Sequence, residues 1–239
     1  MQSPSSVTSA PALKGISSMA TRQLLNELLA LYAARGGSTL QLESVGGVDA
    51  AKRVQADEPF DIVFLASDAI DKLVAAGKLD AQSKVNLADS GVALAVRAGA
   101  AQPDIRSAEA VRQAVLAARN ISYSTGPSGV ALAKLFDVWG ITDQLQGRIV
   151  QAPPGVPVGT LVARGEVELG FQQLSELINL EGITLLGNLP PEIQITTTFS
   201  AAITSASAHK KAAQELLHFL VSDDAAAAKR RQGMEPAAA

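Results

Sequence analysis

Five times along this chain, a short apolar run passes through a small polar or glycine-rich turn into a segment with helical spacing. The turns are Ser17-Ser18, Gly46-Gly47, Ala66-Ser67-Asp68, Thr125-Gly126-Pro127-Ser128-Gly129 and Gly155-Val156-Pro157. Strand, tight turn and helix in that repeated order predict an α/β protein with mainly parallel sheets. In a parallel sheet such turns lie at the carboxyl ends of the strands, where open α/β folds bind ligands. Each helix start presents unpaired N–H groups and a partial positive charge of roughly +0.5 e. Several starts meeting in one crevice make an anion site that needs no Lys or Arg. Serine and threonine hydroxyls add donors, and glycine allows close backbone approach. The plainer reading is that each turn is only a helix cap.

The spacing of the remaining residues fills in the scaffold. A strand over 13–16 leads into a helix opening near Met19, with Leu24, Leu25, Leu28, Leu29 and Tyr32 on one face, and Gly36-Gly37 stop it. Further strands are predicted over 39–45, 61–66, 91–96, 121–124, 149–152, 167–171, 184–187 and 193–203. Helices are expected over 49–55, 68–76 with Ser67 as cap, from Ser107 to 118, from the 125–129 turn to Trp139, and over 157–164, 208–221 and 223–231. No linker rich in Pro, Ser and charge divides residues 13–232 into sequential domains. The strands nevertheless fall into two groups, changing near 88–92 and again near 193–203. Two lobes joined by two crossing strands fit that pattern.

Composition narrows the chemistry. The chain has 239 residues, 47% of them apolar and 18% charged, which excludes a disordered tail and leaves room for a sizeable core. Twenty Lys and Arg against 23 Asp and Glu leave a net charge of −3 with no basic block. Nucleic acid and membrane surfaces are therefore poor partners. No run reaches the roughly 18–20 apolar residues that cross a bilayer. The absence of cysteine removes thiolate nucleophiles, zinc–cysteine sites and iron–sulfur clusters. The two histidines, His209 and His218, exclude a histidine-rich metal site and argue against a Ser-His-Asp triad. No cofactor is expected. Residues 1–12 are polar and Ser/Pro-rich, unlike a secretory signal. Either Met1 stands where a signal was removed, or the protein stays in the cytosol.

Among the turns, the segment around Ser124, Thr125, Ser128 and Gly129 offers hydroxyls and glycines with few side chains to obstruct a ligand. It is not a P-loop, because no Lys follows in a G-x-x-x-x-G-K-[ST] arrangement, so nucleotide hydrolysis is disfavoured. Gln172-Gln173, read as following the strand at 167–171, would either donate amide hydrogens to a ligand or form a satisfied buried pair. Thr196, Thr197 and Thr198 belong to a β-branched strand whose hydroxyls could line a cleft. Arg22, Lys52 and Arg53 read as solvated helix faces first and carboxylate ligands second. Trp139, beside Leu135 and Phe136, reads as core. Lys229-Arg230-Arg231 reads as a helix C-terminal charge complement, and His218 as a structural histidine.

The order of these turns and strands resembles the periplasmic molybdate-binding protein family, within the type 2 periplasmic-binding-protein fold, from about residue 13 to 236. Ser17-Ser18-Met19 sits where that family has its first ligand serine. The run from Phe60 to Asp68 resembles its strand ending in a small-Ser turn, and Pro127-Ser128-Gly129 its oxyanion-binding Pro-Ala-Gly turn. The resemblance implies two α/β lobes, 13–90 with 200–239 and 91–199, joined by two crossing strands and closing by hinge motion around a ligand cleft. It places Ser17, Ser18, Gly46, Gly47, Ser67, Ser124, Thr125, Ser128, Gly129, Val156, Gln172 and Gln173 at that cleft. Three positions depart from the family. Gly46-Gly47-Val48 replaces a serine-rich turn, Gln172-Gln173 a ligand tyrosine, and Val156-Pro157-Val158 introduces a proline without an N–H. These changes point from molybdate towards a larger organic anion such as a di- or tricarboxylate. Two functions follow from the resemblance. One is a periplasmic solute-binding protein delivering the anion to an ABC transporter permease. The other is an isomerase of the aconitate cis/trans type on the same scaffold, with Lys52, Asp49 or Tyr123 as candidate base.

Overall fold

The computed structural model describes residues 12–153 and 155–238, so most of the polar amino-terminal segment lies outside it. The chain opens with β1 (Leu13–Ser18), a 3-10 turn (Met19–Thr21) and α1 (Arg22–Ala34). It continues through β2 (Leu40–Val45), α2 (Gly47–Gln55), β3 (Ile62–Ala66) and α3 (Ser67–Ala75). β1 pairs in parallel with both β2 and β3, so the three strands end along one edge. Leu24, Leu25 and Leu28 of α1 pack on one face of this sheet, while Ala50 and Val54 of α2 and Ile70 and Leu73 of α3 cover the other. Burial on both faces is why Ile62, Val63, Phe64 and Leu65 form an unbroken apolar run.

The long strand β4 (Val85–Arg97) belongs to both lobes. The second lobe adds α4 (Ala108–Ala117), β5 (Ile121–Tyr123), α5 (Pro127–Val138), α6 (Val158–Ala163), β6 (Leu169–Gln173), α7 (Leu174–Leu177) and β7 (Ile183–Asn188). The chain then returns through β8 (Thr196–Ile203) to α8 (Lys210–Val221), α9 (Ala226–Arg231) and the short β9 (Glu235–Pro236). Residues 85–91 of β4 pair with β8 in the first lobe's sheet, and residues 92–97 pair with β6 and β7 in the second. β5 lies parallel to β6. The second lobe has its own core, built on Val111, Val115, Leu132, Phe136, Leu169 and Phe171, with Trp139 and Leu135 packed against it as expected. The architecture is thus the two-lobe α/β fold anticipated from the turns.

Several local expectations change. Residues 149–152 form no strand, only an isolated bridge between Ile149 and Ile121. Ser67 is the first residue of α3, not its cap; Ala66 occupies that place. Gln172 and Gln173 lie inside β6, both buried, because β6 begins at Leu169 and runs on to Gln173. His218 is exposed, since the buried stripe of α8 runs through Ala213, Leu216, Leu217 and Leu220. Arg230 and Arg231 pair with Glu235 and Glu27, whereas Lys229 is only 2% exposed, and burial lowers its pKa.

Candidate functional site

The strand register places the site. Ala66, at the end of β3, pairs with Phe199, which pairs with Ala88 on β4. Four residues along β4, Val92 pairs with Gln173 at the end of β6. The carboxyl ends of the two lobes' parallel strands therefore border the same crossing, offset by four residues along β4, roughly 13 Å at about 3.3 Å per residue. Ser175 Oγ of α7 donates to the Ala20 carbonyl at 2.8 Å, and Asn179 Nδ2 donates to Gln23 Oε1 at 2.8 Å, so the second lobe's turn rests on the first lobe's Ser18 turn. A separate hollow of about 350 Å³, lined by Lys14, Asp61 and His209 among others, lies at the opposite ends of β1 and β3. It shares no residue with the turns.

On the first lobe, Ser18 is half-buried and its Oγ accepts the Ala20 N–H at 3.3 Å, leaving the hydroxyl hydrogen free to donate. Gly47 lies beside it: a Cβ there would stand 3.7 Å from Ser18 Oγ. Ser17 points inward, fully buried, with its Oγ 2.7 Å from Ser44 Oγ. No side chain caps α2 or α3, which start at Gly46-Gly47 and Ala66-Ser67. Both carry an acid in the first turn, Asp49 and Asp68 respectively, which already answers part of the helix charge.

On the second lobe, α5 has neither a side-chain cap nor an acid in its first turn. Its Ser128 and Gly129 amides are therefore the barest anion donors of the three helix starts. Ser124 and Ser128 share a hydrogen bond at 3.1 Å, and Thr125 is exposed beside them. Gly129 is required by the backbone, because a Cβ would lie 1.6 Å from the Ser124 carbonyl oxygen. The turn before α6 differs. The Val156 N–H is engaged by the Pro153 carbonyl, and Gln172 Oε1 accepts the Gly159 N–H at 2.9 Å. α6 is thus capped from β6.

The two glutamines face opposite sides of their strand. Gln173 Nε2 donates to Thr197 Oγ1 at 3.0 Å across the crossing, while its Oε1 is buried without a partner. Gln172 Nε2 donates to Glu176 Oε1 at 2.9 Å. Glu176 escaped the reading of the sequence, where a lone Glu in a four-residue helix carries no signal. Desolvation pushes its carboxyl up to about 7, outweighing the hydrogen bond from Gln172 that acts the other way. Of the bases considered, Lys52 and Asp49 are exposed on α2. Burial, and secondarily the Asp137 charge, raise the Tyr123 phenol further above its ordinary value, so it is no base at neutral pH. Arg53 turns away from the turns to Glu43 and Glu58. The turns thus offer backbone amides, hydroxyls and carboxamides, and a protonatable carboxyl lies on α7 beside Gln172.

Comparisons with known proteins agree with this fold. The fold is similar to the Azotobacter vinelandii periplasmic molybdate-binding protein, with a TM-score of 0.78 at 23% identity over 93% of this chain and 98% of that one. It is similar also to the sulfate-binding protein of Mycobacterium tuberculosis, with a TM-score of 0.77 at 18% identity over 94% and 86%. A Pseudomonas protein described as aconitate isomerase is 38% identical over 187 residues, 78% of this chain and 71% of that one. Residues 13–235 match the model of one family over nearly the whole chain, and the protein belongs to the bacterial extracellular solute-binding proteins.

Proposed function

We propose that this protein captures a small organic anion, a di- or tricarboxylate rather than molybdate, in the cleft between its lobes. It then passes that anion to an ABC transporter permease at the outer face of the inner membrane. The observation that carries this reading is the α5 start: a twelve-residue helix with no side-chain cap and no acid in its first turn, set behind the Ser124–Ser128 hydroxyl pair. In this reading Ser18, Gly47 and Ser67 complete the site from the first lobe, and lobe closure would bring both sets onto one ligand. The binding residues in this reading are Ser18, Gly46, Gly47, Ser67, Ser124, Thr125, Ser128, Gly129 and Gln173. A thermal-shift panel tests the proposal, since a ligand of the folded state stabilises by RT ln(1 + [L]/Kd). Citrate or an aconitate isomer raises the melting temperature; a rise with molybdate and none with the carboxylates rejects it.

A second reading, cis/trans isomerisation of an unsaturated tricarboxylate, is favoured by the 38% identity to the Pseudomonas aconitate isomerase. Incubation of cis-aconitate with the protein in D₂O, followed by proton NMR, distinguishes the two. Appearance of the trans isomer or deuterium uptake supports the isomerase, and an unchanged spectrum over hours at micromolar protein rejects it.

A further inference from the structure

Among the described residues, two buried side-chain polar atoms have no hydrogen-bond partner, Ser90 Oγ and Gln173 Oε1. Both adjoin Thr197. Ser90 stands opposite Thr197 in the β4–β8 register, and Gln173 Nε2 donates to Thr197 Oγ1 at 3.0 Å. Ser90 is 1% exposed and Gln173 5%, while Thr197 is half-buried. Folded proteins leave few such atoms unpaired, because each gives up its bonds to water on burial. The alternation of side chains along the strands places the cluster. On β4, Ala88, Ser90 and Val92 share one face. Ala88 lies in the first lobe's core with Ala20 and the α1 leucines, and Val92 in the second lobe's core with Phe136 of α5. Phe199 of β8 belongs to the first core, Ile195 just before that strand packs against the second, and Thr197 lies between them. Gln173 shares its face of β6 with Phe171, a member of the second core. Ser90, Thr197 and Gln173 therefore fill a polar gap between the two cores, on the face that carries α1 and α5. Ala20 follows the Ser18 turn, Tyr123 packs against the second core just before the Ser124 turn, and α5 packs on both β6 and β8. The cluster is the floor between those two turns.

The groups left over on this floor complement one kind of ligand atom. Gln173 Oε1 can only accept, and the Ser90 hydroxyl can donate. A carboxylate oxygen, which only accepts, would satisfy Ser90 and leave Oε1 facing a negative charge. A hydroxyl satisfies both, its hydrogen going to Oε1 and its oxygen accepting from Ser90. We propose that the floor formed by Ser90, Thr197 and Gln173 reads a hydroxyl group of the ligand, so that the captured anion is a hydroxy acid. This rests on the reading of the cleft as a carboxylate site and narrows its ligand class. The helix starts take the carboxylates and the floor takes the hydroxyl, with Thr197 as the positioning residue that holds the Gln173 carboxamide. Neither unpaired atom meets solvent in this conformation, so the hydroxyl enters as the lobes part and is enclosed as they close. An analogue without the hydroxyl leaves both groups unpaired, which is how a site built for a hydroxyl rejects such a ligand.

The test is isothermal titration calorimetry of the full chain with two pairs of ligands and with molybdate. Citrate is set against tricarballylate, which is citrate without its hydroxyl, and malate against succinate, which differ in the same way. Wild type is expected to bind the hydroxylated member of a pair about tenfold more tightly, or better. Ser90→Ala and Gln173→Met are expected to bring that ratio to within about threefold of one. Ser90→Ala removes an unpaired buried hydroxyl, so its ligand-free melting temperature should not fall, which separates lost recognition from lost folding. Equal affinities within each pair for wild type overturn the inference and leave carboxylate capture intact. A preference for the hydroxylated ligand that survives undiminished in both variants overturns the assignment to this floor. Binding of molybdate alone, or of none of the probes, overturns both the inference and the reading it rests on.

Discussion

Replacing Glu176 by glutamine should make the protein more stable, and by an amount that depends on pH. The carboxyl is raised from an ordinary value of 4.5 to about 7 by burial. Between those values the folded state holds a proton that the unfolded chain has released, so stability falls as pH rises through that window. Below about pH 4 both states are protonated and the group costs nothing; above pH 8 the whole cost is present. A shift of that size corresponds to about 3 kcal/mol, and the residue's partial exposure reduces it to about 2 kcal/mol. Glutamine mimics the protonated acid, its carbonyl still accepting from Gln172, and carries none of this penalty. For a protein of this length, the gain is roughly 4–8 °C in melting temperature at pH 8. Calorimetric melting of both proteins from pH 4 to pH 9 measures it. The curves should coincide at the acid end and separate between pH 5 and 8. A gap that does not vary with pH, or a mutant less stable than wild type at pH 8, refutes the account of this carboxyl.

Other perturbations separate the roles of the turn residues. Ser128→Trp fills the space in front of the α5 start and should abolish ligand-dependent stabilisation in the thermal-shift assay, while unaltered affinity would remove that turn from the site. Ser128→Ala keeps the backbone amide and should weaken binding by roughly tenfold, the worth of one hydrogen bond to a charged group. Gly129→Ala drives a methyl into the Ser124 carbonyl oxygen. Denaturant unfolding should show a loss of about 3 kcal/mol, at the upper end of overpacking costs. Arg53→Ala should leave ligand affinity unchanged by calorimetry, because its guanidinium is spent on Glu43 and Glu58.

The strand–turn–helix units at β1, β3 and β5 were legible because each has a local cause: an apolar run, then a glycine or serine turn, then helical spacing. The first half of β4 was not. Asn86, Asp89 and Ser90 interrupt the apolar pattern there, and the strand holds together through cross-strand polar bonds from Ser200 to Asn86 and from Thr198 to Asp89. These partners are more than a hundred residues away in sequence. The glutamine pair was misplaced for a similar reason. Two consecutive carboxamides read as the end of a strand, yet within it Gln172 bonds Gly159 and Glu176, and Gln173 bonds Thr197 through its amide hydrogens. The start of α6 looked like another open anion donor, and only the fold reveals that Gln172 closes it. Glu176 was invisible because α7 is only four residues long and packs on β4, β6, β7 and the Met19–Thr21 turn, none of which its local spacing announces. His218 misled through its neighbours. Leu217 and Leu220 define the buried stripe of α8, and a residue about 100° round the helix from Leu217 leaves it.

The central claim is that peptide N–H groups at helix starts, with hydroxyls and without cationic side chains, hold the anion between the lobes. An amide-resolved NMR titration with citrate and trans-aconitate tests it most directly. The account predicts that the amides of Gly47, Ser67, Ser128 and Gly129 shift together along one saturating curve. Shifts confined to the hollow around Lys14, Asp61 and His209, or to the exposed lysines and arginines, would contradict it.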